Sequence, residues 1–288
     1  MTMSSTLNIQ NLTVSLRSGL PLLRQVNLTL EPGEVRALVG ESGAGKSMIG
    51  KAVLGTLPPA TRVTGGQIFL RGQALDHLNA AQRRHCVAQS AALIPQDPLT
   101  ALNPVRRIAP QITDPLTRIH GWSAERAQTR ALELLERVEI RDPARVMRSY
   151  PHELSGGMRQ RILIAAAFAP SPPLIVADEP TTALDVTVQK QILKLIRELQ
   201  KEVGTAVLFV THDMGVVAKI SQKVSVLFQG RVMEDSTTEA IFSNPTHPYT
   251  RALIAATPSY ADPARSFSPV PPELIAQMKS KIAQEEIW

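Results

Sequence analysis

Apolar positions along the chain fall into two kinds of run. Val35-Arg-Ala-Leu-Val39, Ala91-Ala-Leu-Ile-Pro95, Leu174-Ile-Val-Ala177 and Ala206 to Val210 are near-continuous stretches of strand length. Runs of that kind belong to strands covered on both faces, as in a parallel sheet. Between them the spacing turns helical: Met48, Ile49, Ala52 and Val53; Ala131, Leu134, Leu135 and Val138; then Val188, Ile192, Leu195, Ile196 and Leu199, with Gly204 as a stop. The first 40 residues read as strands, with Glu31-Pro-Gly-Glu34 a turn between two of them. Val224 to Glu234 reads as a hairpin around Gln229-Gly230. From Asp97 to Tyr150 the alternation stops. Prolines stand at 98, 104, 110 and 115, and Ser123 to Ile140 then forms one amphipathic helix, so this stretch reads as a helical insertion between core strands. After a proline-rich passage from Ser259, the chain ends in a short amphipathic helix with Leu274, Ile275, Met278 and Ile282 on one stripe, closing at Trp288. Packing back on the core is the simpler reading of that stripe, and a partner-docking element the other.

Composition narrows the class. The 288 residues are 43% hydrophobic and 19% charged, which is ordinary for a folded chain and too apolar for a disordered one. The single cysteine, Cys86, excludes an intrachain disulfide framework and any cysteine-only metal cluster. It reads as a small residue at least half-buried. A net charge of +6 favours anionic partners without selecting one. No basic run is interleaved with aromatics, which total 4%, so no nucleic-acid partner is expected. No stretch approaches the ~18 apolar residues of a membrane span, and MTMSSTLNIQ lacks the pattern of a secretory signal.

Gly40-Glu41-Ser42-Gly43-Ala44-Gly45-Lys46-Ser47 follows the strand of Val35 to Val39 and opens the helix of Met48 to Val53. The spacing is that of a phosphate-binding loop. Glycines let backbone N–H groups wrap a polyphosphate, Lys46 reaches the terminal phosphates, and Ser47 binds Mg²⁺. Leu174 to Ala177 delivers Asp178 and Glu179 at its C-terminal end, where open α/β sheets hold their ligands. Alone that pair reads equally as a helix cap. Downstream of a phosphate loop, Asp178 becomes a candidate Mg²⁺ holder and Glu179 the candidate base on the attacking water. Leu154-Ser155-Gly156-Gly157-Met158 opens an apolar helix. Ser155 is a natural N-cap, and the two glycines leave N–H groups free at a positive helix end. Gln96 and His212 each end a strand; alone, each is an ordinary polar terminus.

The order of these elements, with Ala183-Leu-Asp185 between the acidic pair and His212, resembles the ATP-binding-cassette ATPases over about residues 5 to 258. The serine–glycine signature separates that family from other phosphate-loop proteins. The resemblance implies an α/β fold: a phosphate-loop NTPase (RecA-like) core over 1–96 and 160–258, an antiparallel β subdomain, a helical subdomain at about 97–159, and a tail at 259–288. It implies that Gln96 contacts Mg²⁺ or water, that His212 contacts the γ-phosphate, and that Asp185 couples two sites across a dimer. Ser155, Gly156 and Gly157 would meet the γ-phosphate held by the opposite subunit, so two chains close head to tail on two ATP molecules.

Tyr150 to Arg161, Asp178 to Val186, Pro95 to Pro98 with Leu102-Asn-Pro104, and Asn244 to Tyr249 are similar to the ATPase subunits of oligopeptide, dipeptide and nickel importers. Thr181-Thr182 resembles the first of the two ATPases such systems pair. The expected partners are therefore a second ATPase subunit, two transmembrane permease subunits docked on the variable segment 97–150, and a solute-binding protein reached through the permease. The expected place is the cytoplasmic face of the inner membrane, as a peripheral subunit. In that family an aromatic residue near Leu16 to Gly19 stacks on adenine. Here Arg17 stands in that stretch, and its guanidinium plane is the candidate substitute. Some members carry an iron–sulfur tail, which this chain lacks the cysteines to hold. A DNA-repair ATPase of the same superfamily and a ribosome-associated cassette protein are the competing readings. The first usually carries a long coiled coil or zinc cysteines and the second two cassettes, and none of these is in the sequence. A nucleotide-binding subunit in a phosphonate-processing complex is a further alternative; it would have no permease partner.

Overall fold

The computed structural model describes residues 5–182, 185–257 and 269–285. Ala183, Leu184, the proline-rich passage up to 268 and Trp288 lie outside the described residues. The chain begins with β1 (Leu7–Leu16), β2 (Pro21–Leu30) and β3 (Val35–Val39), then α1 (Lys46–Leu54), β4 (Thr61–Leu70), β5 (Gln73–Ala74), α2 (Ala80–Ser90) and β6 (Ala91–Ile94). A helical block follows: α3 (Pro98–Ala101), α4 (Ile108–Arg118), α5 (Ala124–Arg137), α6 (Pro143–Arg148) and α7 (Gly156–Phe168). The core resumes with β7 (Leu174–Asp178), α8 (Val186–Val203), β8 (Ala206–Val210), α9 (Met214–Ile220), β9 (Lys223–Phe228) and β10 (Arg231–Thr237). It closes with α10 (Thr238–Ser243), α11 (Pro248–Ala255) and α12 (Pro272–Glu285).

Two sheets form. One is antiparallel, in the order β2-β1-β4-β5. The other runs β10-β9-β3-β8-β7-β6, parallel throughout except for β10, which returns antiparallel on β9. The apolar runs dictate this arrangement. Every residue of β3 and β8 is buried, as is the Leu174–Ala177 stretch of β7, so each must be covered on both faces by helices or by the other sheet. α1 and the antiparallel sheet cover one face, sharing a core of Leu23, Leu38, Ile49, Val53, Leu208 and Val210. α7, α8 and the helical block cover the other, around Phe168, Ile192, Ile196, Val207 and Phe209.

The helices form where the spacing places them. Ser123 caps α5 by accepting from Arg126 N, and Ala131, Leu134 and Leu135 are buried on one stripe. α8 ends at Gly204, whose φ of 72° is the left-handed cap expected of glycine. α7 is continuous from Gly156 to Phe168 and packs on both the helical block and the sheet, so it is a shared wall rather than a boundary. The apolar stripe of α12 lies on the core: Met278 and Ile282 are buried with Phe228, Ile241 and Tyr249, and Leu274 and Ile275 pack against them.

Candidate active site

In the parallel sheet, β3, β8, β7 and β6 are consecutive neighbours. Four segments therefore leave the same carboxyl edge side by side: Gly40–Ser47 after β3, His212 after β8, Glu179 after β7, and Gln96 after β6. Residues far apart in sequence meet there because parallel register aligns the strand ends; Asp178 pairs with Val210, and Ile94 with Ala177.

The loop after β3 folds back so that Lys46, which is buried, donates to the carbonyls of Gly40 at 2.8 Å and Glu41 at 2.9 Å. Gly40 cannot be replaced there, since a Cβ would fall 2.2 Å from the Leu227 carbonyl oxygen of β9. Gly230 N donates to the Ala44 carbonyl at 2.8 Å, tying the loop to the β9–β10 hairpin. The N–H groups that open α1 point into the loop, as at any helix start, and form an anion-binding end. Burial pulls the Lys46 ammonium below its ordinary range, while Glu179, Asp178 and Glu41 act to keep its charge.

Ser47 Oγ donates to Asp178 Oδ1 at 2.8 Å. Burial pushes the Asp178 carboxyl above its usual range, and the Ser47 hydrogen bond acts in the opposite direction. Next to it, Glu179 stands at φ 45°, a left-handed conformation for a non-glycine residue, with its N–H bound to the Val210 carbonyl at 2.9 Å. Its carboxylate is held from three sides. Gln96 Nε2 donates to Oε2 at 3.3 Å, Thr182 Oγ1 donates to the same oxygen at 2.9 Å, and His212 Nδ1 sits 3.2 Å from Oε1. Thr182 is a partner the sequence reading passed over; its position three residues after Glu179, inside one turn, was the available signal.

Other candidates are placed elsewhere. Ser155 caps α7, accepting from Met158 N at 3.3 Å. Adding a Cβ to Gly156 or Gly157 would meet nothing within 4 Å. Among the described residues, no hydrogen bond joins Ser155, Gly156 or Gly157 to the Gly40–Ser47 loop or the Glu179 cluster. Asp185 caps α8, accepting from Thr187 N at 3.0 Å and Val188 N at 2.9 Å. Arg17 lies on the exposed turn joining β1 to β2, its N–H bound to the Ala60 carbonyl at 2.8 Å. Gln160 was not foreseen. It is buried in α7 and donates to the Pro180 carbonyl at 2.8 Å, linking the signature helix to the segment after Glu179.

The donors present suit a magnesium-bound polyphosphate. A buried ammonium and a helix N-terminus face the phosphate positions. A hydroxyl and a carboxylate stand together as hard oxygen ligands. No group of three or more His, Cys, Asp or Glu that could hold a metal ion occurs among the described residues.

A phosphate loop, an acidic pair on the next strand but one and an antiparallel sheet over the first helix define a phosphate-loop nucleoside-triphosphatase cassette. The model of the ABC transporter family matches residues 23–182, and that of the oligopeptide/dipeptide transporter C-terminal region matches 233–281. A probable peptide ABC transporter ATP-binding protein, y4tR of Sinorhizobium fredii, is 45% identical over 89% of this chain and 77% of its own length. The oligopeptide transport ATP-binding protein OppD of Bacillus subtilis is 42% identical over 88% of this chain and 72% of its own. The dimeric, post-hydrolysis structure of the ATP-binding cassette MJ0796, bound to ADP and Pi, superposes with a TM-score of 0.71 at 28% identity, covering 81% of this chain and 98% of that one. The chain belongs to the ABC transporter family, as one of its ATP-hydrolysing cassettes.

Proposed function

We propose that this chain binds and hydrolyses ATP to drive a peptide importer, with Glu179 as the base that activates water. The observation that carries the chemistry is the convergence of Gln96, Thr182 and His212 on the Glu179 carboxylate, next to the Ser47–Asp178 pair. Two hydrogen-bond donors on one carboxylate oxygen, with the His212 imidazole beside the other, fix its direction before any substrate arrives. Lys46 and the first N–H groups of α1 bind the phosphate tail; His212 and Gln96 orient its terminal group and the attacking water. Ser47 and Asp178, with Gln96, would hold Mg²⁺, which neutralises charge on the phosphate oxygens. Glu179 then takes a proton of the water as its oxygen attacks the γ-phosphorus; the bond from that phosphorus to the β–γ bridging oxygen breaks, and ADP leaves with that oxygen, giving ADP and phosphate.

Within one chain this set is incomplete. Ser155 caps one N–H of this helix end, that of Met158, while the N–H groups of Gly156 and Gly157 make no hydrogen bond among the described residues, and the terminal phosphate needs donors on the side away from Lys46. A second ATPase subunit, packed head to tail, would supply that helix end, and Asp185 would couple the two sites. ATP thus holds the pair closed, and cleavage releases it. Arg17 is the candidate support for the adenine ring. The variable segment 97–150 docks two permease subunits, which receive solute from a binding protein, and the subunit works at the cytoplasmic face of the membrane. No helix among the described residues is long and apolar enough to cross a membrane. The peptide substrate rests on the relatives' names and on the C-terminal region matched at 233–281.

The test is purification from membranes in mild detergent, identification of the co-purifying chains, and uptake of labelled dipeptides and oligopeptides. ATP-dependent peptide uptake lost on disrupting this chain supports the proposal. Absence of any permease partner, or uptake indifferent to this chain, overturns it.

A further inference from the structure

The peptide group between Gly40 and Glu41 is gripped on both sides. Its carbonyl, that of Gly40, accepts from Lys46 Nζ at 2.8 Å. Its N–H, that of Glu41, donates to the Tyr249 hydroxyl oxygen at 3.3 Å. Tyr249 belongs to α11, in the C-terminal region, 208 residues from Glu41. Its side chain is fully buried and tilted against Phe228 with ring centroids 4.9 Å apart. The core that packs it also contains Met278 and Ile282 of α12.

The segment carrying Tyr249 is itself latched. On β10, Glu234 Oε1 accepts from Thr246 N at 2.8 Å and Thr246 Oγ1 at 2.9 Å, and Oε2 accepts from His247 N at 3.0 Å. His247 Nδ1 accepts from Tyr249 N at 3.1 Å, capping α11. A buried phenol at the end of such a latch has little freedom to move, and burial pushes its pKa up to about 12, so it stays neutral.

We propose that Tyr249 is a positioning residue for the phosphate loop: the C-terminal region holds the Gly40–Glu41 peptide plane, and through it the Lys46 ammonium, in the orientation that receives ATP. Hydrogen bonds on opposite ends of one amide reinforce each other, so releasing the N–H also loosens the grip of the carbonyl on Lys46. The C-terminal region thereby contributes to the nucleotide site without touching the nucleotide. The role in ATP binding rests on the ATPase reading above; the brace on the loop does not.

The test is Tyr249→Phe, which keeps the ring and removes the hydroxyl. Hydrogen exchange in the nucleotide-free protein reads the Glu41 amide directly, and a fluorescent ATP analogue with Mg²⁺ reads affinity. The expected result is faster exchange confined to the phosphate loop and an affinity weaker by about fivefold, the effect of one neutral hydrogen bond. KM should rise while kcat changes little. Glu234→Ala, which frees the latch but leaves the phenol, should move both readouts in the same direction. Unchanged exchange at Glu41 overturns the proposal. So does faster exchange spread across β9, β10 and α11 with a collapse in melting temperature, because the hydroxyl would then be merely structural. If the wild-type chain does not bind the analogue, the ATPase reading fails, while exchange at Glu41 still tests the brace.

Discussion

Ser47 and Asp178 are 131 residues apart in the chain, yet the hydroxyl of one donates to the carboxylate of the other at 2.8 Å. Burial raises the Asp178 pKa above its ordinary 3.8. The folded state then holds that proton more tightly than the unfolded one, so this group's contribution to stability falls as pH rises from about 3.8 through the raised value. At neutral pH, Asp178→Asn should raise the melting temperature of the nucleotide-free protein and abolish its further rise on adding MgATP. A nucleotide-free variant that melts below wild type at pH 7, measured by calorimetry, would contradict the assignment.

Among the described residues, Lys46 has only loop carbonyls as hydrogen-bond partners, both within six residues of it, so its ammonium can exchange them for phosphate oxygens. Lys46→Ala should lower ATP turnover at least about a hundredfold, as expected when one preorganised donor to the transferring group is removed. Phosphate release by the purified chain checks this; turnover near wild type would exclude the loop as the nucleotide site.

Glu179→Gln keeps the shape of the side chain and one oxygen to accept from Gln96 and Thr182, while an NH₂ replaces the other oxygen and the base is removed. ATP should still bind, turnover should fall about 10²–10⁴-fold, and a closed dimer should accumulate. Size-exclusion chromatography in MgATP distinguishes the outcomes: a monomer with normal turnover would show that another group activates the water.

His247 caps α11 through an unprotonated Nδ1. Its pKa is lowered from 6.5, first by burial, with Lys281 and Arg251 adding to the effect and Glu234 opposing it. The unfolded chain therefore takes up the proton first, and stability present above pH 6.5 is lost as pH falls through the lowered value. His247→Asn, a good N-cap with no titration, should flatten that acid-side loss in melting curves taken between neutral and mildly acidic pH.

Gly230 has φ 79°, and a Cβ there would fall 2.2 Å from the Leu22 carbonyl oxygen. Gly230→Ala should cost about 2–3 kcal/mol in urea unfolding and weaken ATP binding as well, because Gly230 N anchors the loop at the Ala44 carbonyl. Wild-type stability in the variant would show that β2 can retreat from the hairpin.

Much of this molecule is visible as pattern. The buried strands β3, β7 and β8 read as apolar runs, and α5 and α8 as periodic stripes with a serine or glycine at an end. The apolar run of β6 also marks a strand, but β6 is the edge of the sheet: it buries only Ile94 and leaves Leu93 exposed, so it is not covered on both faces as its run suggests. β4 and α2 were missed for physical reasons. β4 carries Gly65-Gly66 in its middle, buries only Ile68 and Leu70, and changes register against β1 between Gln10 and Val14, so its alternation is broken. α2 buries only Val87 and Ser90 and has almost no apolar face to detect. A strand or helix that buries little leaves little period in its sequence.

The residues alone determined the chemistry on offer: a phosphate loop, an acidic pair, a capped glycine helix end and a family order among them. Only the tertiary structure decided which of these meet. Parallel register brings Gln96, Glu179 and His212 to one carboxylate and sets Ser47 against Asp178. The same folding leaves Ser155 with no hydrogen bond to that cluster among the described residues and carries Tyr249 from the C-terminal region to the loop at Glu41. The reason is that residue type and local spacing specify donors, acceptors and periodicity, whereas a hydrogen bond between distant residues depends on how the strands order and the helices pack.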